Sequence, residues 1–234
     1  MRANLLESAD LLISCLVECN LRREYYLTTK KRFDLLPSQE VSDASNFFGG
    51  LNYILKVDFL GYLAKLTFGK QKAEVTIQNL LKAVTDPVAA DMLVEQFTRE
   101  KNRLQELFLT DENWPTNQKF TAVRYAEGNE LLERLKSGGN QILESSVGKV
   151  LKTHRDKVFA HFDVDSDSLE RKASPKISYV FDFILSDYDI SNYYGSVRRW
   201  VLDFYLLVKG IGYNFDWIEM IGTKYSSYLE AEGK

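Results

Sequence analysis

Apolar residues recur along the chain mostly at three- and four-residue steps, the spacing that lines them up on one face of an α-helix. The spacing predicts a first helix from Ala3 to about Tyr26, with Leu5, Leu6, Leu12, Ile13, Leu16 and Val17 as its buried stripe. Pro37 breaks the pattern. A second helix is predicted from Asp43 to about Phe68, with Phe47, Leu51, Ile54, Leu60 and Leu63 facing inward. Gly49-Gly50 inside it is a site for a kink or a close helix approach. Glu74–Val84 reads as a shorter helix. Asp86-Pro87 is a start signal, an acid at the cap and a proline at the first helical position, for a helix that runs to about Leu109.

Farther along, Asp111–Thr121 reads as loop, and Glu127–Lys136 as a helix that Gly138-Gly139 ends. A further helix is expected from about Gln141 towards Phe162, followed by a polar loop over Asp163–Pro175. Ile177–Leu185 alternates in a way that suits a strand or an extended loop. Ser191 or Asn192 is the expected cap of a last long helix reaching Val208. There is no internal repeat and no Pro/Ser-rich linker. The fold class expected is therefore all-α: a single domain over residues 1–234, built as a bundle of about six helices. Its core is placed at about 1–210, with the tail over 211–234 packed back on the bundle.

Composition narrows the function classes. The 234 residues carry 30 Lys and Arg against 33 Asp and Glu, a net charge of −3. That balance argues against a protein coated in basic charge for non-specific nucleic-acid binding, while leaving room for a local basic patch. The first twenty residues lack the basic start and clean apolar run of a signal peptide, and no stretch is apolar enough for a membrane span. The expectation is a cytoplasmic protein without a membrane partner. Cys15 and Cys19 lie one helical turn apart and are read as buried or half-buried thiols, not a disulfide. They lack a zinc-type spacing and lie far in sequence from His154 and His161, so no metal or other cofactor is expected.

One stretch concentrates chemistry. Lys149, Lys152, Arg155 and Lys157 place four fixed positive charges within nine residues, Asp156 is the acid among them, and both histidines, His154 and His161, lie in or just beyond it. The bland reading is a solvated basic helix face; the sharper one is an anion site. On a helical wheel, Leu143, Val147, Val150, Leu151 and Val158 form the apolar stripe. His154 falls within it and is expected to be a packed, hydrogen-bonded core histidine. Arg155 lies at the stripe's edge, Asp156 points away, and His161 sits at the helix end beside the polar loop. Six positions separate Arg155 from His161, which is about 120° on an ideal helix. One straight helix therefore aims them poorly at a common atom, and a distorted helix end, another element or a second subunit has to complete any joint site.

Arg155-Asp156-Lys157-Val158-Phe159-Ala160-His161, followed by Phe162-Asp163, resembles the signature of the HEPN superfamily, and most closely its abortive-infection type. The upstream segments Leu60–Thr67 and Val75–Leu81 are similar to the helix pair that precedes the motif in that group. The resemblance implies a HEPN-like helical bundle that forms a homodimer with its motif helices near the twofold axis, so that two Arg155/His161 sets share one cleft. It further implies a metal-independent endoribonuclease of a toxin–antitoxin or phage-defence type system, with RNA as substrate and an antitoxin protein as partner. Arg155, Asp156 and His161 would be catalytic, and Lys152 and Lys157 would bind RNA.

The chemistry is coherent with those residue types. A histidine can move a proton near neutral pH at the 2′-hydroxyl or the leaving 5′-oxygen. An arginine fork holds a phosphate and its developing charge, leaving a 2′,3′-cyclic phosphate end. Asp156 would orient Arg155 or His161, and Phe159 or Phe162 would stack a base or, more simply, pack in the core. Two alternatives stand beside this reading. One is a non-catalytic HEPN module that binds RNA, a nucleotide or a protein partner. The other is a purely structural network of ion pairs and caps over Arg155–Asp163.

Overall fold

The computed structural model describes residues 2–34, 43–69, 71, 74–109, 127–156 and 185–213. Seven α-helices account for nearly all of them: α1 (Arg2–Asp34), α2 (Asp43–Thr67), α3 (Ile77–Thr85), α4 (Pro87–Leu109), α5 (Gly128–Glu144), α6 (Ser146–His154) and α7 (Asp187–Lys209). No strand occurs among the described residues, and none of their helices is long and apolar enough to cross a membrane. The all-α class thus follows from the three- and four-residue apolar spacing. The segments read as loop over 111–121, as strand or extended chain over 177–184 and as the tail beyond Tyr213 lie outside the described residues.

The chain groups into two compact units, Met1–Ile13 with Ala64–Tyr213, and Ser14–Leu63 with Asn214–Lys234. In the first unit, α5 packs against α7, α3 and α4, while α6 packs against α5 and α7. The core is apolar and closed: Leu81, Val84, Leu93, Phe97, Leu131, Leu135, Val197 and Phe204 are all buried. Trp200 stacks on Phe204 with ring centroids 5.4 Å apart, and its indole N–H donates to the Leu135 carbonyl at 2.8 Å. That bond matters because an unmet buried donor costs roughly 1–3 kcal/mol.

In the second unit, Tyr26 stacks on Phe59 (6.4 Å) and the Arg22 guanidinium lies 4.0 Å from the centre of the Tyr62 ring, so α1 and α2 run antiparallel. Arg22 also reaches Glu18 at 2.7 Å and Asp58 at 3.0 Å. Cys19 is buried and Cys15 half-buried, both as free thiols, as their spacing predicts. Burial pushes both thiols up from their ordinary range, more strongly for Cys19.

Helix ends show where local signals operate. Asp86 Oδ1 accepts from the Ala89 amide at 2.9 Å, the cap expected of Asp86-Pro87. Four other readings change. Helix α1 continues to Asp34, since Lys30-Lys31-Arg32 are good helix formers and the two basic residues of its last turn suit the helix dipole. Gly138-Gly139 does not end α5, which runs on to Glu144. Helix α7 starts at Asp187, capped by Ser186, whose Oγ accepts from the Asp189 amide at 3.1 Å. Phe47 and Ile54 are 64% and 63% exposed, whereas Leu60 and Leu63 are fully buried. On a wheel the first pair lies about 180° from the second, so the expected inward stripe joined two opposite faces of α2.

Candidate functional site

Ser145 decides where the basic stretch points. Its backbone is extended, which separates α5 from α6. Its hydroxyl donates to the Ile142 carbonyl and accepts from the Gly148 amide, both at 2.9 Å, closing one helix and capping the next. The single helix expected from Gln141 towards Phe162 is therefore two segments to this point, and the wheel is continuous only from Ser146. On α6, Val147 and Leu151 are buried, Val150 is half-buried, and Lys149 and Lys152 are exposed. At the end of α6 the backbone widens into a π-type turn over 155–156. The Arg155 amide is shared between the Leu151 and Lys152 carbonyls.

At this helix end the long Arg155 side chain folds over to its neighbour. Arg155 Nε and Nη2 both donate to one oxygen of Asp156, Oδ1, at 3.0 and 2.7 Å. Charge-assisted bonds of this length are the stronger kind. Only 9% of the Arg155 side chain is exposed, against 45% for Asp156. Arg155 is thus buried with the apolar stripe, although the wheel puts it at the stripe's edge. The third guanidinium nitrogen, Nη1, is buried and has no hydrogen-bond partner among the described residues. A cation held in place with a nitrogen left over can donate to an oxygen of an anion or of water.

Among the residues expected to act, Arg155 and Asp156 are joined, and Lys152 lies exposed on the preceding turn. Lys157 and His161 lie outside the described residues, as do Phe159, Phe162 and the His154 side chain.

A second polar concavity went unread in the sequence. A cavity of about 420 Å³ lies between α5 and α7, lined among others by Gln141, Asn192 and Arg199. Arg155 and Asp156 do not line it. Its sequence signal is a polar strip at helical spacing on α7, Asn192, Ser196, Arg199 and Asp203. Compared with family models, curated proteins and solved structures, the chain finds no match.

Proposed function

We propose that the chain is a metal-independent endoribonuclease of a toxin–antitoxin or phage-defence type system, acting through Arg155 and His161 in a cleft shared by two subunits. The observation that carries the proposal is the Arg155 guanidinium: held by Asp156 through two nitrogens, with the third, Nη1, buried and without a partner among the described residues. A fork held in this way needs no reorganisation when charge develops on a phosphoryl oxygen. The HEPN resemblance of Arg155–Asp163 supports the same reading.

In this mechanism His161 of one subunit accepts the 2′-hydroxyl proton as the 2′-oxygen attacks phosphorus. The 5′-oxygen leaves and takes a proton from solvent water, to which the imidazolium later returns its own. The products are a 2′,3′-cyclic phosphate and a 5′-hydroxyl. Asp156 is a positioning residue for Arg155, and exposed Lys152, with Lys157, steadies flanking phosphates. A shared cleft answers the wheel angle between Arg155 and His161, since arginine and histidine then come from different subunits.

Total RNA incubated with the protein in EDTA tests this. Wild type should yield 2′,3′-cyclic phosphate ends. His161→Ala should lose roughly 10²-fold or more, the usual weight of a positioned acid or base. Arg155→Ala should lose a comparable 10²–10³-fold, as for other groups that stabilise developing charge. Equal cleavage by wild type and His161→Ala would remove His161 from the mechanism. A second reading, the non-catalytic module, is favoured by the near-complete enclosure of Arg155. RNA binding by wild type without any cleavage would select it.

A further inference from the structure

The cavity between α5 and α7 has its own chemistry, independent of the RNA reading. Its floor is apolar, formed by Ile142 and Val147 and closed by Trp200. The indole N–H is spent on the Leu135 carbonyl inside the core, so Trp200 adds no free polar atom to that floor. Gly138 also lines the cavity, and the missing side chain keeps the space over the indole open: a Cβ there would stand 3.7 Å from Trp200 Cδ1. The volume of about 420 Å³ falls in the range of roughly 300–1,000 Å³ typical of small-molecule sites.

Charge cancels on the walls. Arg134 on α5 and Asp203 on α7 pair through two contacts, Nε with Oδ2 and Nη2 with Oδ1, both at 3.3 Å. Arg199 acts on the same carboxylate and favours its charged form. Asp189 accepts from the Ser186 hydroxyl at 2.6 Å in the first turn of α7, where the helix dipole favours an anion. Two arginines and two aspartates leave a net charge of zero. An ionic ligand would give up its hydration there without meeting an uncompensated counter-charge. The neutral groups are less engaged. The side-chain amides of Gln141 on α5 and Asn192 on α7 make no hydrogen bond among the described residues, and each offers a donor beside an acceptor. The Ser137 and Ser196 hydroxyls donate to the Glu133 and Asn192 carbonyls at 2.9 and 3.1 Å, so each has oxygen lone pairs left and no hydrogen to give. Acceptor capacity on the neutral walls therefore exceeds donor capacity.

We propose that this cavity binds a neutral planar heterocycle with an amino group beside a ring nitrogen, an aminopurine of the adenine type, its face on Ile142 and Val147 and its edge on Gln141 and Asn192. A carboxamide matches an amino group and the adjacent ring nitrogen with two parallel hydrogen bonds, the pairing by which asparagine and glutamine read adenine. The surplus of acceptors favours a ligand that brings donor hydrogens of its own, and an amino group brings two. The cancelled charge favours a ring without charge. The apolar floor favours a flat one, whose burial supplies most of the affinity.

Isothermal titration of the full chain with adenine, purine and hypoxanthine tests the assignment, since the three share one ring system and differ in the group that meets the carboxamides. Adenine should bind with one site per chain. Purine, which lacks the amino group, should bind roughly two- to tenfold more weakly, the worth of a neutral hydrogen bond. Hypoxanthine, with an acceptor in place of the amino donor, should bind more weakly than adenine as well. Gln141→Leu and Asn192→Leu should each weaken adenine by a similar roughly two- to tenfold factor, with a smaller loss on purine. Raising the salt to about 1 M, where charges are screened beyond roughly 3 Å, should not weaken adenine. Gly138→Leu fills the space over Trp200 and should abolish binding, while Gly138→Ala should retain it. Should Gly138→Leu fail to fold, judged by circular dichroism, the other two variants decide, because Gln141 and Asn192 are exposed. Absence of adenine binding at millimolar concentration, wild-type affinity in Gln141→Leu or Asn192→Leu, or binding that survives in folded Gly138→Leu would overturn the proposal. Purine or hypoxanthine binding as tightly as adenine, or adenine binding that falls with salt, would overturn the ligand class.

Discussion

Two adjacent glycines on α5 do opposite things, because neighbouring positions on a helix face different surroundings. A Cβ on Gly139 would stand 2.7 Å from Leu81 Cδ1 and 3.0 Å from Trp200 Nε1, the nitrogen that donates to the Leu135 carbonyl. Alanine there must displace the indole or the leucine, and overpacking of a closed core typically costs about 1–3 kcal/mol. At Gly138 the same methyl makes an ordinary contact, and alanine gains helix propensity of about 1 kcal/mol. Thermal unfolding should therefore place Gly139→Ala below wild type and Gly138→Ala at or above it. The reverse order would mean that Leu81 and Trp200 give way freely. Neighbour contacts of this kind carry α5 through the pair to Glu144: glycine is a stop signal only where nothing else holds the helix. The Arg155–Asp156 chelate was illegible for a related reason. Apolar spacing assigns faces of a helix and says nothing of how a long guanidinium folds over to its neighbour.

At the scale of elements, a cap is legible in the sequence where its signal acts on its own backbone and less so where tertiary packing has the last word. Asp86-Pro87 started α4 where expected, because the carboxylate bonds the Ala89 amide and proline fits the first turn. The cap of α7 is Ser186 and not Ser191 or Asn192, and Ser186-Asp187-Tyr188-Asp189 carries an acid three residues after a serine, a capping pattern in its own right. Ser145 is the break with the greatest consequence, since it sets the direction of the helix that carries Lys152 and Arg155. Ser145→Ala removes both its bonds and should lower stability by about 1 kcal/mol, the usual loss for a capping hydroxyl. Ser145→Asp keeps an acceptor for the Gly148 amide and should recover most of that loss. Chemical denaturation of the three proteins checks the order, and a Ser145→Ala midpoint equal to wild type would show that α6 is held by packing alone. The cavity between α5 and α7 lay beyond sequence reading altogether, because Gln141 and Arg199 are 58 positions apart and only the pairing of two helices brings them to one space.

For the whole molecule, the proposed ribonuclease makes a demand that no single chain can meet. If each reacting centre takes its arginine from one subunit and its histidine from the other, a wild-type dimer holds two such centres in one cleft. A dimer of Arg155→Ala with His161→Ala then keeps one: the arginine of the second chain facing the histidine of the first. Two inactive homodimers, mixed in equal amounts and allowed to exchange subunits, should regain about one quarter of wild-type activity, since half the dimers are mixed and each has half its centres, a consequence of twofold symmetry. An arrangement within one chain predicts none, because every chain in the mixture lacks one of the two groups. The net charge of −3 makes the experiment sensitive to salt in an informative way. Only a local cluster of cations offsets the overall repulsion of RNA, so cleavage should fall steeply as salt rises while subunit exchange continues. Recovery of activity on mixing, lost at high salt with the dimer intact, would tie the basic stretch to RNA and the shared cleft to catalysis. Failure of the mixture to recover, with mixed dimers demonstrated by mass, would confine Arg155 and His161 to one chain and return the wheel angle between them to the distortion at the end of α6.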